Sequence, residues 1–347
     1  MIRAITRPST VKCTLPAYVS FLLSEPTMIS CCRLAEIKAI SHDSVNRFLN
    51  REDYEPIDLF DEVKPILEIK GGTLSVDDTV LDKPYARYIA YLGYYWSGKH
   101  HRAVKGINLI TLYYTDAKGK QQPVNFRLYD KSEEKTKNDY FLEMLDEVLA
   151  WGLEPEFMTG DCWYSSIKNL KRVRKNKLNF LFAVESNRLV SIDEGQWSQV
   201  QTLDVPKDGL VVWLKEFGNV KLFRTRLKDQ VRHYVIHLST DQLASITQGD
   251  FDKIHSQHWD IEQYHRAIKQ VCNIESFQVR SKIAVKNHVF SAIFGFVQLQ
   301  TLKATDVLRN CYQLRRELFN EVISSFIETF SPKMKKMNPT FYGAVNA

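Results

Sequence analysis

From Gly72 onward the sequence carries three β-prone runs in quick succession, over residues 73–80, 106–115 and 122–130. The last two flank Asp-Ala-Lys-Gly-Lys-Gln, a Gly-bearing turn of the kind that closes a hairpin, so the three runs predict an antiparallel meander. An apolar stripe of helical period follows over 137–151, then a strand ending at Asp161, a basic helix over 165–177, and the strand "NFLFAVES". A meander succeeded by alternating helix and strand restricts this region to an α/β layer with a mixed sheet. Residues 187–230 break the alternation with short β segments and turn residues, which predicts an inserted β subdomain. "RHYVIHLST" returns as a strand, and from Asp241 to about Phe330 the pattern is helical, ending in the basic tail "SPKMKKMNP".

Residues 1–65 have helical periodicity and few strand signals. In "LAEIKAISHDSVNRFLNRED" a break at Ser41-His42 separates two helices, and Val45, Phe48 and Leu49 make the inward stripe of the second. Asn46, Arg47 and Asn50 then point outward, as a DNA recognition helix presents its side chains. A small helical bundle with a polar outer face produces the same pattern.

The 347 residues suffice for a sizeable core, and 44% hydrophobic with 25% charged residues is the balance of an ordinary globular protein. A formal charge of +6 leans toward an anionic partner, most visibly in "KNLKRVRKNK", where six of ten residues are Lys or Arg, among them Lys171, Arg174 and Lys175. That run reads as a contact to a DNA backbone or as a solvated helix face. The six cysteines show no Cys-x-x-Cys spacing, which predicts reduced thiols in a cytoplasmic protein with no zinc site. The N-terminus lacks the apolar core of a signal peptide. The most apolar run, 289–297, is about half of the roughly 20 residues that span a bilayer, so a buried helix and no membrane partner are expected.

Carboxylates stand where strands should carry packing residues. "SVDDTV" places Asp77 and Asp78 inside a β-prone run, and "MTGDCWYSS" ends a strand on Asp161, with Gly160 allowing a close approach. In "IHSQHWDIEQYHRAIKQ" helical offsets put Glu262 on one face with His255, His258, His265 or Arg266, and Lys269. Two Asp and one Glu from separate elements supply the hard oxygens that two Mg²⁺ ions need for an in-line displacement at phosphorus, with Mn²⁺ as a substitute. The flanking bases then act as phosphate clamps. Taken singly, each acid also reads as a solvated strand end or helix surface charge.

At these residues the sequence resembles the DDE transposases of bacterial insertion sequences, most closely the insertion sequence 701 family. The resemblance rests on the helix-turn-helix start "ISHDSVNRFL" and on "VDDTVLDKP", "TGDCWYSS" and "HWDIEQYHRAIKQ", in that order. It implies an RNase H-like catalytic domain with a β insertion, preceded by a helical DNA-binding region. The implied organisation is 1–65 for that region, 66–186 for the first part of the catalytic domain and 187–230 for the insertion. The remainder with the Glu helix then covers 231–280, and C-terminal helices with the basic tail cover 281–347. In the family the metal-binding Asp of the first motif directly precedes Thr, which selects Asp78 over Asp77; Asp161 and Glu262 follow from the other two. The related signature of Tyr, two residues, Arg, three residues, Glu, six residues, Lys is matched at Glu262 and Lys269, with His255 and His258 in the Tyr and Arg positions. DNA contacts are thus expected from Lys269, His258, His255 and Arg266 at the site, from Lys171, Arg174 and Lys175, and from Asn46 and Arg47. Trp197 or Trp213, in the insertion, stands where an aromatic residue of related enzymes stacks on a flipped base; packing within a small β unit is the alternative.

The activity implied is metal-dependent cleavage at the terminal inverted repeats of a mobile element and transfer of the freed 3′-hydroxyls to target DNA. The partners implied are double-stranded DNA and, when DNA-bound, a second copy of the chain, in the bacterial cytoplasm at the nucleoid. A nuclease of the same fold that cuts without joining, and a domesticated copy that binds DNA as a regulator, are the rival readings.

Overall fold

A computed structural model describes residues 12–25, 29–98, 100–193, 195–227, 230–239, 242–305, 307–313, 317 and 324–325. The N-terminal stretch 1–11 and the basic tail at 331–339 lie outside the described residues.

Among the described residues four helices precede the sheet: α1 (Leu15–Ser24), α2 (Cys31–Lys38), α3 (His42–Arg51) and α4 (Pro56–Val63). Ser30 caps α2 and Ser41 caps α3 through their side-chain oxygens, and between them the chain turns at Ala39, which takes the left-handed conformation (φ 51°). Val45, Phe48 and Leu49 of α3 are buried, while Arg47 and Asn50 are exposed. These helices share one hydrophobic core with the sheet that follows.

That sheet begins with β1 (Thr73–Asp82), β2 (Leu92–Ser97), β3 (Arg102–Thr115) and β4 (Gln121–Leu128). β1 pairs antiparallel along β3, and β3 splits its other edge, its first half pairing with β2 and its second with β4. The chain then crosses through α5 (Lys137–Ala150) to β5 (Phe157–Gly160), parallel to β1, and through α6 (Ile167–Lys175) to β6 (Asn179–Val184), parallel to β5. The order β4-β3-β1-β5-β6, antiparallel then parallel, is the RNase H-like arrangement. The sheet of the α/β layer is therefore mixed, as the strand and helix pattern predicts. The strand pattern does not mark out β2, a run of only six residues interrupted by Gly93, although its Tyr94, Tyr95 and Trp96 are β-prone.

Residues 187–230, expected as an insertion, contribute β7 (Leu189–Ser191), β8 (Trp197–Gln199), β9 (Leu210–Leu214) and β10 (Gly218–Leu227). β11 (Gln230–His237) pairs with β6 and offers its far edge to β10, so these strands lengthen the same sheet, to eleven strands among the described residues. Pairing in this way removes an exposed edge at β6.

Two long helices follow, α7 (Gln248–Gln270) and α8 (Lys282–Ala304). Thr247 and Asp250 form a reciprocal capping box at the start of α7. α8 holds the apolar run 289–297 and is buried against the sheet and the N-terminal helices. Among the described residues no helix is long and apolar enough to cross a membrane.

Alternation along β1 sorts its side chains between two helical layers. Thr73, Ser75 and Asp77 face α7: Thr73 donates to Gln257 (2.5 Å), the Ser75 and Thr159 hydroxyls lie 2.7 Å apart, and Asp77 meets His265. Asp78 faces α5 and the 3₁₀ turn Cys162–Tyr164. Leu74 and Val76 fill the core on that side.

Candidate active site

Asp161 follows β5 at the point where the strand must pack tightly. A Cβ on Gly160 would lie 2.5 Å from the Phe182 ring and 2.9 Å from a Val76 methyl, so the glycine admits neighbouring side chains, not a ligand. Asp161 then caps the 3₁₀ turn, accepting from the Trp163 amide at 3.0 Å and the Tyr164 amide at 3.4 Å. Glu262 projects from the middle of α7, whose Ile261, Tyr264, His265 and Ile268 are buried. Asp77, Asp78, Asp161 and Glu262 all line one cleft of about 1190 Å³.

The two adjacent acids of β1 have different surroundings. Asp78 is saturated: Lys137 Nζ (2.8 Å) and the Tyr164 hydroxyl (3.0 Å) donate to Oδ1, and Asn108 Nδ2 (2.5 Å) donates to Oδ2. Asp77 accepts its neighbour's amide at 2.7 Å and lies 3.5 Å from His265 Nδ1. Burial disfavours its charge, but His265 and His258 outweigh that and hold it below the usual carboxylate range.

The other two carboxyls are pushed the opposite way. Burial first, then the charges of Asp77 and Asp78, raise Asp161 to about 7. Burial and Asp77 raise Glu262, against the nearby Arg232. Acids crowded until one resists ionising are what a hard divalent cation relieves. The fit is one of donor chemistry: among the described residues no three His, Cys, Asp or Glu side chains stand close enough to hold an ion in this arrangement.

His255 and His258 line the cleft with Glu262. His258 Nδ1 lies 3.1 Å from the Thr159 hydroxyl, which continues to Ser75, and burial drops the ring to about 4, so it is neutral at pH 7. His255 stacks on Phe251 and lies 3.0 Å from the Tyr234 hydroxyl; burial lowers its pKa as well.

The remaining expected contacts lie elsewhere. Lys269 donates to the Val80 carbonyl (2.6 Å) and pairs with Glu275, tying the end of α7 to β1. Arg266 is exposed but does not line the cleft. On α6, Lys171 and Lys175 are exposed, whereas Arg174 donates to the Phe217 carbonyl and lies over that ring. Asn46 accepts from Cys31 Sγ at 3.4 Å, and Arg47 reaches the Ser44 hydroxyl within α3. Trp197 and Trp213 sit on β8 and β9 outside the cleft.

Several cleft residues escaped the sequence reading: Lys137, Arg226, Arg232, Tyr94, Trp96 and Trp163. Arg226 and Arg232 enter from the paired strands β10 and β11, far from the motifs in sequence. The aromatic-basic texture of residues 85–105 was the one available clue to the β2 wall.

The family model described as "Transposase DDE domain" matches residues 69–295, about two-thirds of the chain. No curated protein matches the sequence significantly. Among solved structures, the Drosophila P element transposase in its strand transfer complex is similar at 12% identity and a TM-score of 0.28, over 58% of this chain and 48% of that one. Marinitoga piezophila Argonaute in complex with a 5′-OH guide RNA is similar at 11% identity and a TM-score of 0.22, over 52% and 25%. The chain thus spans about half the length of the first and a quarter of the second. On the family match, which covers β1 through most of α8 and every carboxylate of the cleft, the chain belongs to the transposase DDE domain family.

Proposed function

We propose that this chain binds the terminal inverted repeats of its own element, cleaves the phosphodiesters there and joins the freed 3′-hydroxyls to target DNA. Within its family we place it beside the insertion sequence 701 group, on "VDDTVLDKP", "TGDCWYSS" and "HWDIEQYHRAIKQ". The carrying observation is that carboxylates from β1, the end of β5 and α7 meet in one cleft.

Asp77, Asp161 and Glu262 are the residues we assign to hold the ions. This departs from the expectation of Asp78, because Asp77 shares the α7 side with Glu262 while Asp78 has its oxygens filled by Lys137, Tyr164 and Asn108. When bound, two Mg²⁺ ions supply Lewis acidity to the attacking and leaving oxygens of an in-line displacement. Asp78 keeps Lys137 at the cleft wall, beside the position a phosphate takes. His258, neutral and oriented through Thr159, donates a hydrogen bond to a phosphate oxygen, and Arg226 and Arg232 neutralise the backbone entering from the insertion side. Lys171, Lys175 and Arg47 extend the phosphate contact beyond the cleft. The working form is a DNA-bound homodimer at the bacterial nucleoid.

The test is excision of a marked donor bearing the flanking repeats, with wild type beside Glu262→Gln, in Mg²⁺ and in EDTA. Metal-dependent excision, lost in the variant, is expected. End-binding without excision by the wild type would move the assignment to a DNA-binding regulator, and cutting without joining would move it to a nuclease.

A further inference from the structure

Between Lys83 and Ile107 the chain has no Asp or Glu, but it carries Lys83, Arg87, Lys99, Arg102 and Lys105 interleaved with six aromatic residues. The structure leaves four of those rings in solvent: Tyr85 is 95% exposed, Tyr88 76%, Tyr94 67% and Trp96 68%. Ordinary surfaces scatter large apolar side chains singly, so four within twelve residues need a reason. Packing does not supply one. β2 is an edge strand, and Tyr94 and Trp96, two residues apart, project from the same face of it.

The base of the segment is held firmly. Buried Lys83 donates to the carbonyls of Glu275 (2.5 Å) and Phe277 (2.8 Å) and lies over the Phe277 ring, and the Ala90 amide donates to Arg280. Rings on a pinned ribbon lose little freedom when a ligand stacks on them. Tyr94 and Trp96 also line the carboxylate cleft, with Trp163, whose ring lies 4.5 Å from Lys137 Nζ, and with Lys131. The ribbon is therefore aromatic and cationic, carries no acid of its own, and is continuous with the proposed cleavage site.

We propose that the β2 ribbon, through Tyr94 and Trp96, is a stacking platform for unpaired nucleotides of the DNA strand leaving the cleft. Exposed rings offer π-faces to bases of any sequence, and Arg87 and Arg102 meet the phosphates between them. The proposal rests on the reading of the cleft as a DNA site. It adds the strandedness of the ligand at one wall, which that reading leaves open.

The experiment compares the binding of fluorescein-labelled oligo(dT) and of a blunt duplex, by anisotropy, to wild type, Tyr94→Ala/Trp96→Ala and Tyr94→Phe/Trp96→Phe. Stacking of one base on each of the two rings predicts that the alanine pair weakens oligo(dT) binding by roughly 30-fold or more, leaves duplex binding within about twofold, and that the phenylalanine pair restores most of the loss. Equal weakening for both ligands, or none for either, overturns the proposal. A wild type that is dimeric without DNA and becomes monomeric in the alanine pair overturns it in favour of self-association. The readout is independent of catalysis: ribbon-dependent oligo(dT) binding by a protein that never excises its donor leaves the platform standing and removes the transposase reaction.

Discussion

The two faces of β1 use the same residue type to opposite ends. On the α7 face Asp77 shares its surroundings with Asp161, Glu262 and imidazoles, and two of those acids are pushed up by burial and mutual repulsion. On the α5 face Asp78 has a lysine, a tyrosine and an asparagine within 3.0 Å, which is what an acid needs to be buried quietly. On the assignment proposed above, the carboxylate with fewer donors is the one with more capacity left for a metal. Adjacent positions on a strand are thus given different surroundings by the pleat.

The largest effect should come from exchanging the two faces. Asp77→Asn is expected to lower metal-dependent cleavage by on the order of a thousandfold, since loss of one ligand removes several kcal/mol of charge stabilisation. Asp78→Asn should leave substantially more activity, because Tyr164 and Asn108 still order the side chain, although Lys137 loses its counter-ion. Cleavage of an end-labelled donor at saturating Mg²⁺ measures both. If Asp78→Asn abolishes cleavage and Asp77→Asn is tolerated, the metal site belongs to the α5 side.

A second contrast lies further along the α7 side, where α8 packs through Phe296 on Tyr113 and Tyr264. His288 of α8 is buried, accepts from the Tyr18 hydroxyl at 2.8 Å and donates toward the Ile274 carbonyl at 3.2 Å. Burial, with Lys83 nearby, drops it to about 3. The unfolded chain takes up this proton near pH 6.5 and the folded chain refuses it until about 3, so stability falls as the pH falls between those values. At pH 5 the loss should be about 2 kcal/mol, and His288→Gln, which cannot titrate, should lack it. Urea unfolding of both proteins at pH 7 and pH 5 measures the difference; equal losses would mean that the α8 contact is not a proton-sensitive joint.

The meander, its Gly-bearing turn and the helix and strand alternation were legible because period and turn chemistry are local. Each of the three motifs reached the cleft as well. Which of Asp77 and Asp78 faces α7 was not legible, since both faces of this sheet are covered and alternation alone does not say which cover carries the glutamate. Offset seven and the family signature make Lys269 an expected phosphate contact; its bonds to Val80 and Glu275 are tertiary contacts that no offset encodes. Arg226 and Arg232 arrive by long-range strand pairing, which no local pattern encodes.

A smaller change tests whether the α5 side is structural. Tyr164 is buried, lies edge-on to Phe141 and donates to Asp78, which retains Lys137 and Asn108 when that donor is removed. Tyr164→Phe should therefore cost about 1 kcal/mol of stability, with cleavage kept within roughly tenfold of wild type. A collapse of cleavage at unchanged stability would make the Tyr164 hydroxyl part of the reaction and blur the division between the faces.

The smallest effect concerns α6, on the same side. Its basic run is partly consumed at home: Arg172 pairs with Asp146 and Lys168 with Asp139, both on α5, and Arg174 is engaged with Phe217. Lys171 and Lys175 remain exposed. If they touch the DNA backbone, Lys171→Gln/Lys175→Gln should flatten the salt dependence of duplex binding by about one unit of slope per lost contact, with modest weakening at low salt. Titrations across a range of salt concentrations separate the outcomes. An unchanged slope assigns the whole of α6 to holding the sheet and leaves DNA binding to the α7 side and the cleft rim.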